Sequence, residues 1–260
     1  MDLHLKDKVA LVTGGSGGLG KVTCLALAAE GAKVGVCYFR CPEKGIDLAN
    51  DANAVVEQIR SAHGTEALAV PVDLADEADV VEMYRLMDEK FGRVDILINN
   101  AAYVSKGPIT AYTKEEWDYT FQVNVTGAFV AARELVRRLL ADKRPGRIVN
   151  IITAAAFRGS TTGHLPYDAS KGAMVSFTRS LALEVSKDGI SVNAVAPGMI
   201  KTEMVAKTWE ERKEQYLARI PIKRISTPEE IANVVVFLAS DAASYMTGAT
   251  VDVSGGMMMH

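Results

Sequence analysis

The sequence predicts an α/β protein in which one parallel sheet lies between two layers of helices. Short β-branched runs alternate with longer amphipathic segments along the whole chain, as in repeated βα units. A glycine-rich turn follows the first run directly. At 260 residues, with 48% hydrophobic and 23% charged residues, the chain has the length and composition of one compact domain, which we expect to span residues 1–260.

Seven segments have the character of strands, and helical patterns lie between them. The predicted strands are Val9–Thr13, Lys33–Tyr38, Ala67–Val72, Asp95–Asn99, Arg147–Thr153, Ser191–Ala196 and Thr250–Val253. The longest helical pattern has apolar residues every three or four positions, at Trp117, Phe121, Val125, Ala128, Ala132, Leu135 and Leu139. The polar segment from Arg40 to Asn53 is predicted as a long connecting loop.

Charge, hydropathy and cysteine usage exclude several classes of protein. The net charge is −3 without a basic block, so we expect no nucleic-acid partner. No apolar run is long enough to span a membrane, and the short, charged segment Met1–Lys8 is unlike a secretory signal. Cys24, Cys37 and Cys41 lack the spacing of a disulfide framework or a zinc site. These features predict reduced thiols, no bound metal and a cytoplasmic location.

The turn after the first strand reads Thr-Gly-Gly-Ser-Gly-Gly-Leu-Gly over residues 13–20 and leads into a helical pattern. Glycines let the backbone approach a pyrophosphate, and the free N–H groups at a helix start favour an anion. The turn therefore predicts dinucleotide binding. Two spacings fit it: GxGxxG through Gly15, Gly17 and Gly20, or GxxxGxG through Gly14, Gly18 and Gly20.

The end of the second predicted strand bears on the choice of cofactor. An acidic residue at this place ordinarily holds the adenosine ribose hydroxyls of NAD. Here the segment reads Cys-Tyr-Phe-Arg over residues 37–40 and contains no carboxylate. The guanidinium of Arg40 can pair with the extra phosphate of NADP through its planar fork of donors. NADP(H) is therefore favoured, and NAD(H) is the alternative.

Tyr167 and Lys171 are four residues apart in a helical pattern, so they share one helix face. A nearby ammonium favours the phenolate and lowers the pKa of a tyrosine, which suits the pair to proton transfer. Thr153 ends a predicted strand at the sheet edge where open parallel sheets bind ligands. Asn124 interrupts the apolar face of the long helix and is either a ligand-side group or a satisfied core amide.

Taken together, these motifs resemble the short-chain dehydrogenase/reductase family over essentially the whole chain. They occur in the family's order: the glycine turn, Asp73 after the third strand, Asn-Asn-Ala-Ala at 99–102, Asn124, Thr153, Tyr167 with Lys171, and Pro197-Gly198 followed by Thr202. The resemblance implies a single Rossmann-type, doubly wound domain with a seven-stranded parallel sheet. The cofactor contacts it implies are Gly14, Ser16, Gly17, Gly18, Leu19, Gly20, Arg40, Asp73, Leu74, Asn100, Ala101, Tyr167, Lys171, Pro197, Gly198 and Thr202.

The resemblance also implies a mechanism. Tyr167 would exchange a proton with the substrate oxygen while hydride passes to or from the nicotinamide. Lys171 would hold the nicotinamide ribose and depress the tyrosine pKa, Thr153 would orient the substrate oxygen, and Asn124 would support a water relay. Two positions depart from the family pattern: Ala102 replaces a glycine, and Thr153 replaces a serine. A one-residue shift in alignment would put Ala154, which has no donor, at the hydroxyl position.

The expected substrate is a small carbonyl compound or alcohol, covered by a lid around residues 199–220. Reduction of 3-oxoacyl groups on acyl carrier protein is one alternative: Arg144 matches a basic position of those reductases, but Asp188 replaces another. Polyol or sugar oxidation is a second alternative, and a cofactor-sensing binding protein is a non-enzymatic one. The family resemblance implies a homotetramer.

Overall fold

A computed structural model describes residues 2–160, 163–201 and 213–259. Within these ranges the strands are β1 (Val9–Val12), β2 (Lys33–Tyr38), β3 (Arg40–Cys41), β4 (Ile46–Asp47), β5 (Ala67–Pro71), β6 (Ile96–Asn99), β7 (Gly146–Ile151), β8 (Ile190–Pro197) and β9 (Thr250–Val253). Seven of them form a parallel sheet in the order β5-β2-β1-β6-β7-β8-β9, and β3 pairs with β4 as a separate antiparallel hairpin. The predicted fold class is confirmed.

Helices cover both faces of the sheet, so the inner strands are buried on each side. The described helices are α1 (Gly18–Ala29), α2 (Ala49–His63), α3 (Glu77–Phe91), α4 (Lys114–Phe121), α5 (Ala128–Asp142), α6 (Ala155–Arg158), α7 (Leu165–Val185) and α8 (Pro228–Ala239). Leu27, Ile59 and Val235 represent the core that α1, α2 and α8 bury against one face. Met83 and Leu135 belong to the core under α3, α5 and α7 on the other. Among the described residues, no helix has both the length and the apolar character that crossing a membrane requires.

The predicted loop from Arg40 to Asn53 was wrong over most of its length. Residues 40–47 form the β3–β4 hairpin, and α2 already begins at Ala49. The Asp47 carboxylate accepts a hydrogen bond from the Ala49 N–H at 2.9 Å, which satisfies one of the free donors at the helix start. The available signal in the sequence was Asp47, whose carboxylate can accept from a backbone N–H at a helix start.

The long predicted helix is interrupted. α4 ends at Phe121, a π-helical turn covers Gln122–Gly127, and α5 follows. The turn packs closely on the chain after β5, since a Cβ added at Gly127 would lie 2.5 Å from the Leu74 carbonyl oxygen. Turns of this kind often occur at functional sites, and this one carries Asn124.

The strand order determines where a ligand can bind. From β1 the chain builds the sheet outward through β2 and β5, then crosses back to β6 on the other side. The connections on the two sides of β1 and β6 leave a crevice at the carboxyl ends of these strands, where doubly wound sheets bind their ligands.

Candidate active site

A cavity of about 570 Å³ opens at the carboxyl ends of the strands, at the crossing point between β1 and β6. Its wall contains residues from both sides of that point. The predicted site residues in the wall are Gly14, Ser16, Leu19, Asp73, Leu74, Asn100, Ala101, Thr153, Tyr167, Pro197 and Gly198. The glycine turn and the proposed acid/base tyrosine therefore line one continuous space.

The glycine turn has the geometry of the GxxxGxG spacing. Gly14 and Gly18 have φ values of +63° and +52°, a region that favours glycine. A Cβ at Gly20 would lie 2.0 Å from the Gly14 carbonyl oxygen, so the first turn of α1 packs directly on the loop. Thr13 Oγ1 accepts hydrogen bonds from the N–H groups of Asn100 (2.9 Å) and Ala101 (3.1 Å), which fasten the loop to the end of β6.

Several predicted cofactor residues lie outside the cavity wall. Gly17 is the N-cap residue of α1, and Gly18 and Gly20 belong to its first turn. Arg40 is exposed on β3, and its Nε lies 3.6 Å from an Asp47 carboxylate oxygen across the hairpin. Thr202 and residues 203–212 of the predicted lid lie outside the described residues.

Tyr167 and Lys171 project from the first two turns of α7. The Lys171 ammonium lies 5.7 Å from the centre of the Tyr167 ring and donates to the Ile151 carbonyl at 2.7 Å. Burial lowers the pKa of Lys171 to about 8. Burial, and second the Asp168 carboxylate, raise the pKa of Tyr167 to about 12. The direction is opposite to the depressed pKa expected from the sequence, because burial of the phenol has the largest effect and the Lys171 ammonium donates to the Ile151 carbonyl.

Asn124 is a buried, fully engaged amide. Its Nδ2 donates to the Tyr103 carbonyl at 2.9 Å and to Ser170 Oγ at 3.0 Å, and its Oδ1 accepts from the Tyr103 N–H at 2.7 Å. Ser170 Oγ in turn donates to the carbonyl of Tyr167 at 2.7 Å. Asn124 thus links the π-turn, the chain after β6 and the start of α7, which is the satisfied-amide alternative left open by the sequence.

Thr153 and Ala154 occupy different environments. Thr153 follows β7 by two residues, lines the cavity, and accepts from the Ala155 N–H at 3.2 Å through its hydroxyl oxygen. The strand itself ends at Ile151, two residues earlier than predicted. The Ala154 side chain is buried in a core cluster that includes Met174. The available hydroxyl at this point of the cavity therefore belongs to Thr153.

Sequence reasoning missed part of the wall. The additional lining residues are Tyr38, Phe39, Leu48, Val72, Ala102, Tyr103, Val104, Tyr119, Val123, Ile151, Ile152 and Ile200. Tyr103 and Val104 directly follow the Asn-Asn-Ala-Ala motif, so their position next to it was an available signal. Tyr119 and Leu48 had no such signal, because the π-turn and the hairpin bring them to the cavity. His164, the residue before α7, has its Nδ1 2.9 Å from the Ser105 carbonyl oxygen.

Comparison with known proteins identifies the family. A family model described as enoyl-(acyl carrier protein) reductase matches residues 14–258. A 3-oxoacyl-[acyl-carrier-protein] reductase from Synechocystis sp. is 40% identical over 256 residues, covering 98% of each chain. The chain belongs to the short-chain dehydrogenase/reductase family. A further relative of this short-chain dehydrogenase/reductase, the 3-oxoacyl-[acyl-carrier-protein] reductase FabG of Aquifex aeolicus, is 37% identical over 99% of this chain and 100% of its own.

The architecture is shared with a solved structure. The crystal structure of a protein from Agrobacterium tumefaciens, provisionally described as a gluconate dehydrogenase, superposes with a TM-score of 0.90 at 32% identity, over 99% of this chain and 98% of that one. The names of these relatives differ in substrate. Membership of the family makes this short-chain dehydrogenase/reductase an oxidoreductase that uses a nicotinamide cofactor. The names of the relatives do not decide which substrate it uses.

Proposed function

We propose that the chain interconverts a ketone or aldehyde and the corresponding alcohol, acting on CH–OH groups, with Tyr167 as acid/base and NADP(H) as cofactor. One observation carries the proposal: Tyr167 and Thr153 line the same cavity as Gly14 and Ser16 of the cofactor turn. A substrate oxygen beside the phenol would then lie in the space that also receives the dinucleotide.

The residues supply the proton chemistry, and a bound nicotinamide supplies or accepts the hydride. Because the pKa of Tyr167 is raised to about 12, its phenol is protonated at neutral pH and can donate to a carbonyl oxygen. The Thr153 hydroxyl, two residues past β7, orients that oxygen by hydrogen bonding. The Lys171 ammonium, held by the Ile151 carbonyl 5.7 Å from the centre of the Tyr167 ring, keeps a positive charge near the phenolate that forms when the phenol gives up its proton.

Replacement of the phenol tests the catalytic part of the proposal. We expect Tyr167→Phe to lower kcat by about 10²-fold or more while nicotinamide cofactor affinity changes little. Cofactor titration beside steady-state kinetics measures both quantities. Wild-type protein that binds cofactor tightly without turning over any of a broad panel of ketones and alcohols would support the cofactor-sensing alternative instead.

The preference for NADP(H) rests on the lack of a carboxylate over residues 37–40 and on the charge of Arg40. Its guanidinium is exposed beside the cavity and pairs only at 3.6 Å with Asp47, so it can turn toward a 2′-phosphate. Parallel titrations with NADPH and NADH, repeated with Arg40→Ala, test this. NADPH preference that is lost in the variant supports the proposal, and equal or stronger NADH binding in the wild type contradicts it.

A second candidate substrate is a 3-oxoacyl group on acyl carrier protein, favoured by the names of the full-length relatives. The geometry around Arg144 weighs against it. Arg144 Nη1 donates to Asp95 at 2.7 Å, and both residues precede strands at the sheet edge opposite the cavity. Asp188 precedes β8 at that same edge. The two candidates are distinguished by comparing reduction rates of 3-oxoacyl groups on small thioesters with those on acyl carrier protein. The carrier-protein candidate requires a markedly higher rate with the carrier-bound group.

We also propose a homotetramer in the cytoplasm. Large apolar side chains are exposed on α4, α5 and α7, at Trp117, Phe129, Leu140 and Leu183. Exposed apolar surface of this kind is typical of subunit interfaces. Cys24, Cys37 and Cys41 are free and buried, which agrees with a reducing compartment. Light scattering after size-exclusion chromatography tests the assembly, and a monomer at micromolar concentration would contradict it.

A further inference from the structure

The β3–β4 hairpin spans one end of the cavity. It leaves the sheet after β2 at Phe39 and returns at Leu48, where the Leu48 N–H donates to the Phe39 carbonyl at 3.2 Å. Phe39 and Leu48 both line the cavity. The hairpin therefore lies on the rim of the cavity, and its turn extends across the opening.

The tip of the hairpin makes contact on the far side. Pro42–Lys44 form a short helical turn that ends at Gly45, whose φ of +65° reverses the chain into β4. The Lys44 ammonium lies over the ring of Tyr119 on α4, 4.2 Å from its centre. Tyr119 itself lines the cavity and packs edge-on against Tyr103 at 4.9 Å.

In the proposed function the substrate oxygen lies beside Tyr167 and Thr153, so the adenosine half of the cofactor would lie at this other end of the cavity. Asp73 and Leu74 follow β5, beyond β2 in the sheet, and lie far along the strand order from Thr153 and Tyr167. The Asp73 carboxylate also attracts the Lys44 ammonium. The side chains around this end thus belong to three separate elements: β2, the chain after β5, and α4. A contact between the hairpin and α4 would therefore enclose a ligand bound among these three elements.

We propose that the hairpin is a clamp over the adenosine half of the bound dinucleotide, and that Lys44, fastened to Tyr119, is the positioning residue that slows release of the cofactor. The inference rests on the proposed cofactor site but not on the choice between NADP(H) and NAD(H). Lys44 acts through Tyr119 and holds the hairpin against α4. The cation–π contact must break before the adenosine can leave through this side.

Cofactor dissociation measures the clamp directly. Wild-type protein is loaded with NADPH or NADH, and release is followed by stopped-flow nucleotide fluorescence after addition of excess oxidised cofactor. Lys44→Met retains the length of the side chain without its charge, and we expect it to speed release of both cofactors about threefold to fivefold, as for loss of an exposed cation–π contact. Lys44→Arg restores the cation and should release cofactor at nearly the wild-type rate.

Lys187→Met is the matched control, since Lys187 is an exposed lysine in the turn before β8, at the opposite edge of the sheet. Unchanged release from Lys44→Met, or an equal change in the Lys187 control, overturns the clamp. An effect confined to NADPH also overturns it, because Lys44 would then contact the 2′-phosphate. Wild-type protein that binds neither cofactor contradicts the proposed function, whereas tight binding with unchanged release contradicts the clamp alone.

Discussion

Asn124 and Tyr103 are joined by a reciprocal pair of hydrogen bonds: Oδ1 accepts from the Tyr103 N–H at 2.7 Å, and Nδ2 donates to the Tyr103 carbonyl at 2.9 Å. The Asn124 side chain thus satisfies both backbone groups of Tyr103, a residue that lines the cavity. Asn124 lies in the π-helical turn Gln122–Gly127, and this turn brings its amide to the Tyr103 segment.

Removal of this amide should destabilise the protein. Asn124→Ala leaves both backbone groups of Tyr103 without their side-chain partner, and we expect a loss of about 2–3 kcal/mol in the free energy of unfolding. Urea denaturation followed by circular dichroism measures it. Ser170→Ala removes a single partner of Asn124 and should cost about 1 kcal/mol. Equal, small losses in both variants would contradict the central role of the amide pair.

The cofactor turn depends on close backbone packing at Gly20. A methyl group there would meet the Gly14 carbonyl oxygen at 2.0 Å, so Gly20→Ala should lower the unfolding free energy by about 3 kcal/mol or more. Gly17→Ala is the control, because no atom lies within 4 Å of its added Cβ and its φ of −156° suits any residue. Thermal unfolding without cofactor should separate the two variants, and similar melting temperatures would contradict the prediction.

The raised pKa of Tyr167 predicts opposite pH behaviour in the two reaction directions. Reduction uses the protonated phenol, so its kcat/KM should be independent of the phenol's ionisation until the pH approaches about 12. Oxidation uses the phenolate, so its kcat/KM should rise with pH through the neutral and alkaline range. Rates in both directions between neutral and alkaline pH test this, and a plateau for oxidation near neutrality would contradict it.

Asp168 contributes to that raised pKa through the repulsion between its carboxylate and the phenolate. Asp168→Asn should therefore lower the pKa of Tyr167 and move the oxidation profile toward lower pH. The Asp168 carboxylate also accepts from Ser160 Oγ at 2.5 Å, so Ser160→Ala removes a contact but leaves the charge. A profile that moves in Asp168→Asn but not in Ser160→Ala identifies the charge as the cause; the reverse pattern would exclude it.

Arg144 is predicted to act on stability. Asp95 is buried and accepts from Arg144 Nη1 at 2.7 Å and from the Val9 N–H at 2.9 Å. Arg144→Ala removes a charged partner of a buried carboxylate and should cost about 2 kcal/mol of unfolding free energy. Asp142→Ala removes only the exposed partner of Arg144 and should cost less than about 0.5 kcal/mol. A selective loss of activity on carrier-bound substrate, with stability intact, would instead support carrier binding.

The alternation of β-branched and amphipathic segments was enough to predict all seven strands of the main sheet and their parallel arrangement. Local chemistry was equally informative where a motif acts within a few residues. The glycine turn fits this description, since its positive φ angles and the close approach of Gly20 to Gly14 arise between residues 13 and 20. Tyr167 and Lys171 share a helix face for the same reason.

Other features depended on contacts between distant parts of the chain. The sequence motif suggested that Lys171 lowers the pKa of Tyr167, but the ammonium is taken by the Ile151 carbonyl, 20 residues away in sequence. The polar run after β2 was interpreted as a loop, yet its hairpin reaches Tyr119 across the cavity. The sequence by itself determined which backbone and side-chain chemistry was available. Only the tertiary structure decided which groups meet, because burial and long-range hydrogen bonds depend on neighbours that local periodicity does not specify.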